Sequence, residues 1–168
     1  MVPPFLNHPP CHQGDAVALD LAPIVRQVAL DLAPLVAEKD LDFEISTQTA
    51  FVNAHEWSLR ELSRNLLHNA IKHCPRGGSL SVHVDTTESH AQLSVQDSGP
   101  GISPELRVRL FQPFSAGDVR SGSGLGLAIC HEIVLALAGS ITLDDRLESG
   151  QKSGLNAMVR LPLAHNPA

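Results

Sequence analysis

The amino-acid sequence predicts an α+β fold: a two-layer sandwich in which three to four helices cover one face of a mixed sheet of five to six strands. Three observations carry that prediction. Apolar residues recur at helical spacing over long stretches, several short stretches alternate apolar with polar residues, and the regular βαβ repeat of a doubly wound sheet is missing. No internal repeat is visible.

The elements follow in chain order. Residues 1–15 hold four prolines and a glycine without periodicity and read as a leader or linker. Between 19 and 38, Leu21, Ile24, Val25, Val28, Leu32, Leu35 and Val36 fall at helical spacing; Asp20 and Pro23 suit a first turn, and Pro34 kinks or divides the helix. Leu41, Phe43 and Ile45 alternate as a half-buried strand, and a short strand at 51–53 leads into a long helix from about His55 to His73. Leu80/Val82/Val84 and Ala91/Leu93/Val95 are two alternating runs joined by a polar turn of about six residues, which is an antiparallel hairpin. Ser103-Pro104-Glu105 supplies a capping hydroxyl, a proline for the first helical position and an early carboxylate, the start of a helix. Leu125 to Ala138 is apolar almost all round, so deep burial is expected, with Gly139 as its stop. Ile141/Leu143 and Ala157/Val159/Leu161 form two closing strands.

Composition narrows the function. A chain of 168 residues suits one core, and with 4% aromatic residues and no tyrosine that core must be aliphatic. A net charge of −6 without a block of lysine or arginine argues against nucleic acid or an anionic membrane as the main partner, so any anionic ligand must be held locally. Three widely spaced cysteines in no C-x-x-C pairing suggest neither a disulfide framework nor a zinc site, and a reducing, cytoplasmic setting fits them. No apolar run approaches the roughly 18 residues needed to span a bilayer, and the first 15 residues lack the layout of a signal peptide.

Three stretches break their own pattern. On the long helix, Glu61, Asn65, Asn69 and Lys72 fall on one face beside an apolar one, and polar groups there need water or a ligand. Counting by twos from Ala91 puts Asp97 on the inward face of its strand, where a bare carboxylate is expensive; the Ser-Gly that follows is also ordinary turn chemistry. Gly122, Gly124 and Gly126 precede the last helix, where bare N–H groups and a helix N-terminus suit a phosphate. That spacing is neither the dinucleotide fingerprint nor a Walker loop.

In order along the chain stand Asn-x-x-x-Asn-Ala-x-Lys (65–72), Asp-x-Gly-x-Gly-Ile (97–102), Phe-x-Pro-Phe (111–114) and Gly-x-Gly-Leu-Gly-Leu (122–127). This series resembles the N, G1, F and G2 boxes of the catalytic ATP-binding domain of bacterial two-component sensor histidine kinases, in the GHKL superfamily with its Bergerat fold. The resemblance covers about residues 19–163 and makes 16–168 the ATP-binding domain. It implies ATP and Mg2+ as cofactors, with Asn69, assisted by Asn65, on the metal, and Lys72 and His73 toward phosphate oxygens. Asp97 then accepts from the adenine amino group, Gly99 and Gly101 leave room for the base, and Ile102 and Phe114 belong to the same pocket. A lid of about residues 112–123 covers the triphosphate, with Arg120 as its cation and Gly122, Gly124, Leu125, Gly126 and Leu127 at its base. Asn65 and Lys72 are the catalytic candidates.

GHKL hydrolases have a glutamate where this chain has Asn65, and an amide cannot take a proton from water. The resemblance therefore implies transfer of the γ-phosphoryl group to a histidine by positioning and electrostatics, with Glu61 the one nearby candidate base. No His-Glu/Asp-x-Arg/Lys-x-Pro box occurs, so the phosphoacceptor and dimerisation domain is expected elsewhere, with a response regulator as an indirect partner and the full-length protein anchored in the inner membrane. Ser115 stands where the family often has arginine. Two other readings stay open here: a free-standing serine kinase of the anti-sigma type, and a nucleotide-binding module without transfer activity.

Overall fold

The computed structural model describes residues 16–99, 123–148 and 151–164. A five-stranded sheet has the order β2-β4-β5-β7-β6, from β2 (Asp42–Thr47), β4 (Ser79–Thr86), β5 (His90–Asp97), β6 (Ser140–Glu148) and β7 (Gln151–Pro162). The β2–β4 pair is parallel and the other three pairs are antiparallel, so the sheet is mixed as expected. The short strands β1 (Val17–Asp20) and β3 (Phe51–Ala54) pair with each other instead, antiparallel, in a separate two-stranded sheet.

Helix α1 (Leu21–Asp31) begins at Asp20, whose Oδ1 accepts from Ala22 N at 3.1 Å and from Ala50 N at 3.0 Å. One carboxylate thus caps the helix and ties it to the entry of β3, a cap worth about 1 kcal/mol. Pro34 divides the predicted helix: it stands at the head of α2 (Ala33–Glu38), and Leu32 caps both pieces, because a proline ring removes one helical N–H and crowds the carbonyl four residues back. The long helix α3 (Glu56–His73) buries Leu59, Leu62, Leu66, Leu67, Ala70 and Ile71, and it contacts both α1 and α4 (Ser123–Ala136) as well as β5. Against these helices the sheet presents Leu80, Val82, Val84, Ala91, Leu93, Val95, Ala157, Val159 and Leu161, all buried. Intervening residues such as Ser81, His83, Gln92 and Arg160 face the other side and are half-buried. Among the described residues no helix is long and apolar enough to cross a membrane.

Three expectations need correction. The hairpin turn is three residues, 87–89, because β4 runs past the apolar alternation to Thr86, paired with Ala91, and β5 begins at His90; Thr87 holds the turn by accepting at Oγ1 from His90 N at 3.0 Å. Helix α4 buries Leu127, Ala128, Cys130, Ile133 and Val134, but Glu132 and Ala136 are exposed, Leu135 is 57% exposed, and His131 is half-buried. A uniformly apolar sequence has no period from which to read a buried face. That helix also ends earlier than predicted, and Gly139 is not its left-handed stop. Ala138 takes that conformation (φ 60°), with Ala138 N donating to Leu135 O at 3.1 Å and Gly139 N to Val134 O at 2.9 Å, a complete Schellman ending. Gly139 serves another purpose, since a Cβ there would collide with the Arg160 carbonyl of β7.

Candidate functional site

Asp97 is the last residue of β5 and is 3% exposed, on the same face as Ala91, Leu93 and Val95. Its Oδ1 accepts from Gly99 N at 2.8 Å. Burial pushes its pKa upward, against the N–H groups of Gly99 and Leu155 and the nearby charges of His73 and Arg146. The carboxylate is therefore costly where it is and only partly compensated by the protein around it.

The polar row of α3 stands on the same side of the sheet. His73 closes that helix, one turn beyond Asn69, and a Cβ on Gly99 would lie 2.7 Å from the His73 carbonyl oxygen and 3.0 Å from Asp97 Oδ1. The turn after β5 is thus pressed against the end of α3, and Gly99 is small because a backbone carbonyl passes there. His73 reciprocates electrically. Partial burial lowers its pKa first, then Lys72 and Lys39 lower it further, while Asp97 pulls it up.

Along α3, Asn65, Asn69 and Lys72 are half-buried and Glu61 is exposed. Asn65 Nδ2 donates back to Glu61 O at 2.9 Å, which leaves the amide oxygen available to a ligand. The Asn69 side chain has no hydrogen-bond partner among the described residues. Glu61 also bears on the neighbouring helix: burial, then this carboxylate, pushes the Cys130 thiol up to about 12, so Cys130 stays a protonated packing residue. Among the described residues no group of three or more His, Cys, Asp or Glu could hold a metal ion. A divalent ion here would rest on asparagine oxygens together with oxygens brought by its ligand, as magnesium commonly does.

Gly124 and Gly126 lie within the first turn of α4 rather than ahead of it, since the helix begins at Ser123. Gly124 N–H is still among those with no helical acceptor, whereas Gly126 falls where the helical ladder has already begun. Leu127 is buried in the core. Gly101, Ile102, Phe114, Arg120 and Gly122, together with Ser115 and the helix start at Ser103, lie outside the described residues.

Several contributors escaped the sequence reading. Ser98 Oγ accepts from Ser79 N at 2.8 Å and lies 3.7 Å from Cys74 Sγ, which ties the β5 end to the start of β4 and the end of α3. Lys39, between α2 and β2, donates from Nζ to the carbonyls of Ile71, Lys72 and Cys74, each at 2.8 Å. No local pattern marks these contacts, because each joins segments far apart in the chain. An apolar cavity of about 330 Å³ between α1, α2 and β2, lined by Ala29, Leu30, Val36, Phe43 and Ile45, lies away from Asp97 and carries no acid or base apart from Arg26 at its rim.

The family described as "Histidine kinase-, DNA gyrase B-, and HSP90-like ATPase" matches residues 54–165. The chain is 35% identical over 127 residues to the signal transduction histidine-protein kinase/phosphatase MprB of Mycobacterium ulcerans, covering 73% of this chain and 25% of that protein. It is 34% identical over 147 residues to the sensor protein kinase PmrB of Pseudomonas aeruginosa, covering 86% of this chain and 30% of that one. The chain thus spans between a quarter and a third of the length of these relatives. Among solved structures, full-length ShkA in complex with AMPPNP superposes with a TM-score of 0.78 at 28% identity, over 91% of this chain and 32% of that one.

Proposed function

Because the chain belongs to the family of histidine kinase-, DNA gyrase B- and HSP90-like ATPases, we propose that it is the ATP-binding catalytic domain of a two-component sensor histidine kinase. It binds Mg-ATP and passes the γ-phosphoryl group to a histidine on a separate dimerisation and phosphoacceptor domain, which then serves a response regulator. The carrying observation is Asp97, a 3% exposed carboxylate whose turn abuts the end of the helix that bears Asn65, Asn69 and Lys72. Relatives that are sensor kinases and a structural neighbour holding AMPPNP support the reading.

In this proposal Asp97 accepts from the adenine amino group, and Asn69 and Asn65 direct amide oxygens to the metal. Lys72 and His73 face phosphate oxygens, and the free N–H groups at the head of α4, around Gly124 and Leu125, face the phosphate chain, with Gly126 and Leu127 behind them. Bound magnesium would offset charge on the phosphates, which lets a protein of net charge −6 hold them. For Gly101, Ile102, Phe114, Arg120 and Gly122 the proposed contacts rest on the motif resemblance alone. Asn65 cannot act as a base, so water is not activated there. Instead an acceptor imidazole nitrogen bonds to the γ-phosphorus as its bond to the bridging oxygen breaks, and ADP keeps the electron pair. The domain is placed on the cytoplasmic side of the inner membrane, anchored there through the rest of the protein.

The test uses calorimetry with AMPPNP, with and without Mg2+, on the chain and on Asn69→Ala, followed by phosphorylation of a separately purified acceptor hairpin with labelled ATP. Magnesium-dependent binding that Asn69→Ala removes, together with label on the acceptor histidine, is the expected result. Full affinity in Asn69→Ala would overturn the metal assignment, and binding without transfer would overturn the kinase reading.

A further inference from the structure

We infer that Lys39 is a positioning residue of the nucleotide site: it holds the last turn of α3, and with it Lys72 and His73, in place against the Asp97–Gly99 turn without touching the ligand. The inference rests on the reading of that site as a nucleotide site.

The final carbonyls of a helix have no partner within it, and they form the negative pole of its dipole. In α3 that pole is aimed at the segment carrying Asp97. An ammonium has three protons and no acceptor, and all three protons of Lys39 meet this end of the helix, at Ile71 O, Lys72 O and Cys74 O, each 2.8 Å away. A cation thus sits where an unneutralised pole would oppose both the buried carboxylate and an incoming phosphate chain.

The backbone of Lys39 is fixed as firmly as its head. Lys39 caps the end of α2, and its carbonyl accepts from Gly77 N at 2.8 Å. Asp42 N donates to Gly78 O at 2.8 Å, Arg76 Nη1 to Glu38 O at 3.0 Å, and Arg76 Nη2 to Asp40 Oδ2 at 2.9 Å. Asp40 turns the chain in the left-handed region (φ 53°), which aspartate tolerates. The turn before β2 and the turn before β4 are therefore interlocked. Gly78 in its turn packs against Ser98, the neighbour of Asp97. A continuous set of contacts runs from Lys39 to both walls of the site.

The experiment compares the chain with Lys39→Met, Lys39→Gln and Lys39→Arg by AMPPNP calorimetry in Mg2+, by circular dichroism to establish the folded fraction, and by NMR titration of the His73 ring. Lys39→Met is expected to stay folded well below its melting temperature, to bind about tenfold more weakly, and to titrate His73 at higher pH, because one of the cations holding it down is gone. Lys39→Arg, which keeps the charge, is expected to recover most of both. If Lys39→Met does not fold, Lys39→Gln, which keeps two donors and no charge, carries the same comparison. Wild-type affinity and an unmoved His73 titration in the uncharged variant would overturn the positioning role. A wild-type chain that fails to bind AMPPNP would overturn the nucleotide reading and this inference with it, whereas normal wild-type binding with an indifferent Lys39→Met overturns this inference alone.

Discussion

Gly99→Ala isolates the contact that brings the two walls of the site together. The added Cβ would stand 2.7 Å from the His73 carbonyl oxygen, where ordinary van der Waals contact begins at 3.4 Å, so about 0.7 Å of overlap (3.4 − 2.7) must be relieved. Gly99 does not occupy the left-handed region, so alanine can adopt its backbone and the whole effect is steric. Neither neighbour yields easily: one is backbone at a helix end held by Lys39, and the other is Asp97, which already accepts from Gly99 N. Overpacking of this kind costs about 1–3 kcal/mol, which for a chain of this size lowers the melting temperature by roughly 2–12 °C. Because misplacement by 1 Å can cost about a hundredfold in rate, relief by shifting α3 is expected to lower phosphotransfer by roughly ten- to a hundredfold. Thermal unfolding by circular dichroism reads the first and label transfer from ATP to the separate acceptor hairpin reads the second, with AMPPNP titration of the folded protein beside them. A Gly99→Ala chain that melts within a degree of wild type and binds equally well would refute the close approach of the β5 turn to α3.

Two further outcomes follow from the same coordinates. Asp97 takes up a proton more readily folded than unfolded, so its contribution to stability is fullest below the ordinary carboxyl range and is lost as pH rises through its raised folded value; urea unfolding of Asp97→Asn should show a flatter pH dependence and no loss at neutral pH, while nucleotide affinity falls roughly tenfold or more, and a variant destabilised at neutral pH would contradict the sign. At the end of α4, Ala138→Gly should stabilise by about 1 kcal/mol by relieving a left-handed alanine, whereas Gly139→Ala should destabilise by about 1–3 kcal/mol against the β7 backbone; equal signs in chemical denaturation would show that the helix ending is misassigned.

The sequence carried much of this architecture because local chemistry and tertiary demand agree there. Asp20 at the helix start, there expected in the first turn and found as the cap, Pro34 as a divider, the amide row of α3 and the inward count to Asp97 are all set by neighbours within a few residues. Strand β1 was missed, since Val17–Asp20 continues an apolar helical pattern and becomes a strand only by pairing with β3, more than 30 residues on. The exposed side of α4 was illegible for want of any polar stripe apart from Glu132. Nothing local marks Lys39, because its use as a helix cap depends on two turns meeting in space.

Four of the five strands of the main sheet form two local hairpins, β4–β5 and β6–β7, and the seam between them, β5–β7, closes only across the 53 residues 98–150. Asp97 lies on that seam, opposite Leu155, with Leu155 N–H among the groups that favour its charge. Neither half alone can shelter the carboxylate: before the halves meet, it sits at an open edge in water. Its shielding from water and its altered acidity are therefore created by a long-range strand pairing, and the end of the site proposed to recognise the base exists only in a chain that has finished assembling.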